Sequence, residues 1–247
     1  MRPVASSIKW LLRRFGYHAA RLPANRFDAM EDTLLGLGAR GFRPRVIIDG
    51  GANVGRWAFM AERVFPGARV HMVEPQPGCR AELEAVVASR QGWALHAFAL
   101  APPGIDAVAL AGTSADSRSE GAWVNPAGVG DLTLPATTLD ALFAGRAAPA
   151  DRALLKLDLE GYEIPALSGA ERLLTEVEVV VSEVNFYDVD RAGHTVFGDL
   201  LVYLKDRGFT FYDMAKIAAR PRDGRPAIGD AVFVRNDSEL LRDVGWP

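Results

Sequence analysis

The chain has 247 residues, 49% of them hydrophobic, and a net charge of −3. Those values suit one large domain with a core of its own, and they give no bulk electrostatic case for nucleic acid or an anionic membrane. The one cysteine, Cys79, excludes an intramolecular disulfide framework and a cysteine-built zinc site, and it suits a reducing compartment, so a cytoplasmic location is expected.

Residues 1–40 are expected to form a helical N-terminal segment that packs on the domain or covers its site, with the main domain over 41–247. Near the start, Ile8, Leu11, Leu12 and Phe15 fall on one side of a short amphipathic helix, with Lys9, Arg13 and Arg14 elsewhere. Its apolar stretch is too short for a signal-peptide core. Weak membrane-surface contact is the alternative to simple packing. No apolar run reaches the length of a membrane-spanning helix.

Strands and helices then alternate. Residues 46–48 read as a strand, 56–65 as a helix, 69–73 as a strand, 79–91 as a helix and 93–100 as a third strand. Residues 102–135 are rich in Gly, Pro, Ser and Asp and read as an irregular insertion with short strands at 108–110 and 132–134. A fourth strand over 153–157 precedes a helix over 165–176. A fifth, over 177–184, is almost continuously apolar, as a strand covered on both faces should be. A helix over 196–207 and two closing strands, 209–214 and 231–235, complete the chain. This alternation predicts an α/β domain with a mostly parallel sheet and helices on both faces.

The stretch VIIDGGANVG ends the first strand in Asp49 and turns through Gly50, Gly51 and Gly55 into a helix. Glycines let backbone approach a ligand closely, and a helix N-terminus offers unpaired N–H groups. Glu74 ends the next strand, at about the distance from the turn that an acid gripping ribose hydroxyls keeps. The dinucleotide pattern G-x-G-x-x-G is absent, and Asp49 would repel a pyrophosphate. An acid there suits an ammonium or a sulfonium. S-adenosylmethionine has both, plus a ribose for Glu74 and a carboxylate for backbone N–H groups near residues 53–55. The plain alternative is a tight strand-to-helix turn with Glu74 as a solvated strand end.

The fourth strand runs into LLKLDLEGYE, with Asp158, Glu160 and Glu163 in close succession. Ligands of open α/β sheets bind beyond the C-terminal strand ends, where Asp49, Glu74, Asp158 and Glu183 all fall. Lys156 shares a strand face with Asp158 and is expected to neutralise an acid or hold a substrate oxygen.

Taken in order, DGGANVG, VEP, TTLDAL, LLKLDLEGYE, the Leu-Ser-Gly-Ala at 167–170 and the Ser-Glu-Val at 182–184 resemble the FkbM-type S-adenosylmethionine-dependent methyltransferases. The resemblance runs from about Gly41 to Phe186. It implies the class I methyltransferase (Rossmann-like) fold, seven strands with one antiparallel, and methyl transfer, often to a hydroxyl of a small molecule, sugar or secondary metabolite. Position by position it implies Asp49, Gly51, Asn53, Gly55, Glu74 and Pro75 at the cofactor, and Asp158, Glu160 and Gly161 at the reaction centre.

An alcohol needs its proton removed before it attacks. Asp158 is the first candidate base, Glu160 the second, and His194 in DRAGHT a separate one. Glu183, Asn185 and Tyr187 are expected to meet the acceptor, and Trp123 is a further suspect. Asp158, Glu183 and Asn185 could instead hold Mg²⁺, although hydrogen bonding to the acceptor or backbone is favoured. Glu160 can alternatively cap the following turn, and Glu163 reads as a solvated first-turn acid. His18, His71 and His96 lack metal-ligand spacing. A small-molecule acceptor is expected, with no nucleic acid. The competing readings are a nicotinamide-dependent oxidoreductase and a catalytically silent binding module.

Overall fold

The computed structural model describes residues 26–125, 127–143, 145, 149–188, 193–243 and 245. The helix expected around residues 8–15, and His18, lie outside them. The chain begins with α1 (Arg26–Ala39) and continues through β1 (Val46–Gly50), α2 (Arg56–Val64), β2 (Arg69–Val73), α3 (Pro77–Ala88) and β3 (Trp93–His96). Four short strands follow or flank the insertion: β4 (Ala99–Leu100), β5 (Ala107–Ala111), β6 (Trp123–Val124) and β7 (Leu132–Thr137). Then come α4 (Leu139–Phe143), β8 (Ala153–Leu157), α5 (Glu163–Leu167), β9 (Val177–Asn185), α6 (Phe197–Lys205), β10 (Phe209–Ala219) and β11 (Pro226–Arg235).

The main sheet has seven strands in the order β10-β11-β9-β8-β1-β2-β3. β11 runs antiparallel to both neighbours, and the other pairings are parallel. The chain leaves β1 on one side for β2 and β3, then returns on the other for β8 and β9. A crevice therefore opens beyond the C-terminal ends of β1 and β8, where strand order reverses.

Period-two alternation sends neighbouring side chains of each central strand to opposite faces. Ile47, Leu154 and Val179 pack with Leu34 and Leu37 of α1, Met60 of α2 and Leu83 of α3. Ile48, Leu155 and Val180 pack with Leu139 and Phe143 of α4, Leu167 of α5 and Leu200 and Leu204 of α6. Both faces are covered, which explains why these strands are apolar on consecutive positions. Among the described residues no helix is long and apolar enough to cross a membrane.

Several expected elements are redrawn. The strand over 93–100 splits, because β4 leaves β3 and pairs with β7 in a second, four-stranded sheet ordered β4-β7-β5-β6. The insertion is therefore more regular than its composition suggests. The helix over 165–176 is only α5 plus a 3₁₀ turn, Leu173–Thr175. Between them Gly169 passes so near Ala101 O and Thr138 that a Cβ would fall 2.8 Å from each, and Asp140 takes the N–H groups of Arg172 and Leu173 at the start of the second turn. The closing strands are longer than expected and form a bulged hairpin. His71 and His96 are structural neighbours, Nδ1 to Nε2 at 3.2 Å, against the edge of Phe143.

Candidate active site

A cavity of about 460 Å³ lies over the crevice, with Gly51, Asn53, Glu74, Pro75, Lys156 and Asp158 on its wall. Two strand ends meet closely there. Gly51 has φ +74° and passes so near the next strand end that a Cβ would lie 2.0 Å from Asp158 O. Only glycine combines that φ with that approach. Gly51→Ala should therefore cost about 2–4 kcal/mol of stability, read from urea unfolding, and loss of under about 0.5 kcal/mol would contradict the close approach.

Glu74 is buried and accepts from two backbone donors, Asn53 N at 2.7 Å and Gln76 N at 2.9 Å. Burial holds its carboxyl above the usual range, against the pull of those two N–H groups. Glu74 also lines the cavity. Gln76, which the sequence reading passed over, pins the insertion: its Oε1 accepts from Ser119 N at 3.1 Å and Thr113 Oγ1 at 3.0 Å, and its Nε2 donates to Ser119 O at 3.0 Å. Asn53 Nδ2 donates to the same carbonyl. The insertion thus becomes a wall of the cavity through Ser119, Glu120, Gly121 and Ala122. Gln76→Ala should speed amide exchange over residues 117–121 by about tenfold or more. An unchanged exchange rate would mean that the insertion holds itself in place.

Asp49 does not reach the cavity wall, contrary to expectation. It is fully buried, with Lys156 Nζ 2.9 Å from Oδ1 as a charge contact rather than an aligned hydrogen bond. Lys156 lies between it and the cavity, donating to Gly51 O at 2.8 Å and Gly50 O at 3.3 Å. Burial alone would lower Lys156, but Asp49, Asp158 and Glu183 outweigh it and hold the ammonium above its ordinary range. Burial raises Asp49 despite Lys156. The two shifts point opposite ways for an ion pair. The charged ammonium is the firmer side, since carboxylates and two carbonyl oxygens surround it. Gly55 is also off the wall; it packs against Met72 and Leu83.

Asp158, Glu160 and Glu183 bring carboxylate oxygens within 4.8 Å of one another, and all three line the cavity. Their environments separate them. Burial would raise Asp158, but Lys156, the neighbouring Glu183 and the charge of Arg26 hold it below the usual range. Glu183 goes the other way, raised by burial and then by Asp158, and so carries the shared proton. Glu160 is pushed up to about 7, by burial and then by Asp158. Its backbone has φ +53°, unusual for a residue other than glycine, and Gly161 next to it has φ +93° with His194 packed where a Cβ would go.

Glu163 corrects another expectation. It is 1% exposed, not a solvated acid, and it accepts from Leu159 N at 3.0 Å and Gly161 N at 3.2 Å. Glu163, not Glu160, therefore caps the loop that carries the acids. Burial pushes its carboxyl up to about 7.

His194, Asn185 and Tyr187 stand off the cavity wall. His194 packs edge-on to Trp123 and 3.7 Å from Asp188. Tyr187 lies under Arg225 of the closing hairpin. The possible metal set of Asp158, Glu183 and Asn185 is not brought together on the wall. The cation at Glu183 is Arg26, Nη1 to Oε1 at 3.0 Å. Nothing in the sequence around Arg26 marks it. The signal available was indirect: so many acids at the strand ends demand a cation from elsewhere.

The family profile described as Methyltransferase FkbM domain matches residues 49–211, about two thirds of the chain. The chain belongs to the FkbM methyltransferase family. It is an S-adenosylmethionine-dependent methyltransferase, and S-adenosylmethionine is its cofactor. The cavity has the chemistry for that group, since the close backbone approach at Gly51 and the carboxylates of Glu74 and Asp158 share one space. No curated protein sequence matches the FkbM chain. Among solved structures, WbdD is similar at 12% identity and TM-score 0.53, over 93% of this chain and 44% of that one, a likeness of fold. The 1,6-didemethyltoxoflavin-N1-methyltransferase of Burkholderia thailandensis, with S-adenosylhomocysteine bound, is 15% identical over 96% of this chain and 92% of that one, TM-score 0.48. The fibrillarin of Aeropyrum pernix, with S-adenosyl-L-methionine bound, is 14% identical over 83% and 76%, TM-score 0.46.

Proposed function

We propose that this methyltransferase works on oxygen, at a hydroxyl of a small, uncharged acceptor such as a sugar or secondary metabolite, with Glu160 as the base. The observation that carries the reading is the Glu160 carboxyl, held at about 7 on the cavity wall beside an ionised Asp158. A base is most useful when its pKa lies near the working pH. Asp158, the first choice from sequence, is too acidic for that work and is better suited to face the donor's positive sulphur.

S-adenosylmethionine supplies an electrophilic methyl group and leaves as a neutral thioether. Gly51 and Asn53 would take its amino-acid end, and Glu74 beside Pro75 its ribose hydroxyls. Lys156 holds the two strand ends in register through the carbonyls of Gly50 and Gly51. Glu160 accepts the hydroxyl proton as the new carbon–oxygen bond forms. Phe27, Met30 and Trp57 give the cavity an apolar side, which would seat the body of the acceptor. α1, through Phe27 and Met30, then covers the acceptor end.

The charge of the wall favours an uncharged acceptor. Lys156 is taken up by Asp49 and two carbonyls, and Arg26 by Asp230 and Glu183. A phosphate or carboxylate would meet Asp158, Glu160 and Asp230 with those cations already engaged. The same excess of acid opposes a nucleic-acid backbone. The buried free thiol of Cys79 suits a cytoplasmic setting.

Incubation with methyl-labelled S-adenosylmethionine tests this against neutral polyols and phenols, their carboxylated analogues, and RNA. Alkali-stable label in the neutral hydroxyl compounds is the expected result. Label confined to RNA, or to alkali-labile esters, would overturn it.

A further inference from the structure

We propose that Arg26 is a positioning residue for methyl transfer: from the first turn of α1 it binds the opposed acids Glu183 and Asp230 and so fixes Asp158 and Glu160 at the reaction centre. This rests on the reading that those acids face the methyl group.

Glu183 of β9 and Asp230 of β11 are direct partners in the antiparallel register. Both residues are buried, so each needs a partner for its polar atoms. Asp230 needs a cation, and Glu183 a donor that fixes its orientation. Arg26 arrives from a different layer and makes a fork: Nε donates to Asp230 Oδ2 at 2.6 Å, Nη2 to Asp230 Oδ1 at 2.5 Å, and Nη1 to Glu183 Oε1 at 3.0 Å. A planar guanidinium suits that task because one rigid group holds two carboxylates at fixed angles. Glu183 in turn brings a carboxylate oxygen within 4.8 Å of those of Asp158 and Glu160. The chain Arg26–Glu183–Asp158 thus links the N-terminal helix to the acid that is ionised in the cavity.

The charged groups around this chain come from every side. They are Arg26 from α1, Asp49 from β1, Lys156 from β8, Glu183 from β9 and Asp230 from β11. Asp158 and Glu160 stand on the loop after β8, Glu74 at the end of β2, and the exposed pair Arg56 and Glu120 at the mouth. Arg26 pulls Asp158, Glu160 and Glu183 all downward. Without it, those acids hold protons to higher pH, and Glu183 loses the contact that aims it at Asp158. α1 contributes Met30, Leu34 and Leu37 to the core, so the helix is anchored independently of its first residue.

The test needs no acceptor. The affinities of S-adenosylmethionine, with its positive sulphur, and S-adenosylhomocysteine, which is neutral there, are measured by calorimetry from pH 5.5 to 9. In the wild type the preference for the charged ligand fades as the acids take up protons. Arg26→Gln should move the midpoint of that fading upward by about one unit, and Arg26→Lys should return it at least half-way. Should Arg26→Gln fail to fold, Arg26→Gln with Asp230→Asn removes the opposed charge as well; the midpoint should still be displaced. A preference that follows pH in the wild type but keeps its midpoint in the folded Arg26 variants would overturn the role of Arg26 alone. A wild type whose preference ignores pH would overturn the placement of the acids at the sulphur, and the role of Arg26 with it.

Discussion

Glu160→Gln lowers the rate of methyl transfer by about 10²- to 10⁴-fold, the range for losing a positioned base. S-adenosylhomocysteine affinity should stay within about threefold, because the loss falls on the transition state. The pH profile gives the sharper test. Glu160 has its carboxyl raised to about 7, and only the ionised form accepts a proton. The wild-type rate should rise as pH passes through about 7, somewhat lower once the positive donor is bound. The variant should lack that limb. Stability runs in the opposite sense. A carboxyl whose folded pKa is raised contributes most below its unfolded value of about 4.5 and loses that contribution as pH rises through about 7. Glu163, also raised to about 7 by burial, behaves alike. The free protein should lose stability between about pH 4.5 and 7, and Glu160→Gln should flatten part of that decline. A variant that keeps both its rate and its alkaline rise would remove Glu160 as base. If Asp158→Asn then loses the limb instead, the base is Asp158.

The sheet was readable because its cause is local. Ile47 and Ile48, or Leu154 and Leu155, are adjacent apolar residues with burial on both faces, and periodicity reports such burial directly. The turn at Gly51 and the acid at Glu74 were legible for the same reason: each sits at a strand end in a recognisable order. Partnerships across layers were not legible. Asp49 looked like a ligand-facing acid, and nothing in VIIDGG says that Lys156 from the neighbouring strand stands in front of it. Glu160 and Glu163 differ by three positions in one loop, yet the fold gives the capping task to Glu163 and leaves Glu160 on the cavity wall. Arg26 lies 157 positions from Glu183 along the chain. Composition misled at the insertion, where Gly, Pro and Ser suggested a loop. β5, β6 and β7 there make a small sheet, and the bond between Gln76 and Ser119 folds it against the site.

Lys156→Met should destabilise the fold by about 3–5 kcal/mol, the cost of stranding one member of a buried ion pair. The stranded group is Asp49, which is fully buried. The carbonyls of Gly50 and Gly51 also lose the ammonium they share. Asp49→Asn should cost less, because Lys156 keeps both carbonyls and stands 3.7 Å from Asp158. The double variant should recover more than half of the loss, since no lone charge is then buried. The dependence on pH separates this cause from simple loss of packing. With Lys156 gone, burial drives the Asp49 carboxyl further above the usual carboxylate range, so the residue folds protonated. A raised folded pKa means a contribution that is full below the unfolded value and lost as pH rises. Urea unfolding should therefore show a larger deficit for Lys156→Met at pH 8 than at pH 5, and the double variant should show no such difference. Equal deficits at both pH values would mean that Lys156 serves as apolar stem and carbonyl donor, and that Asp49 is neutral in the native protein.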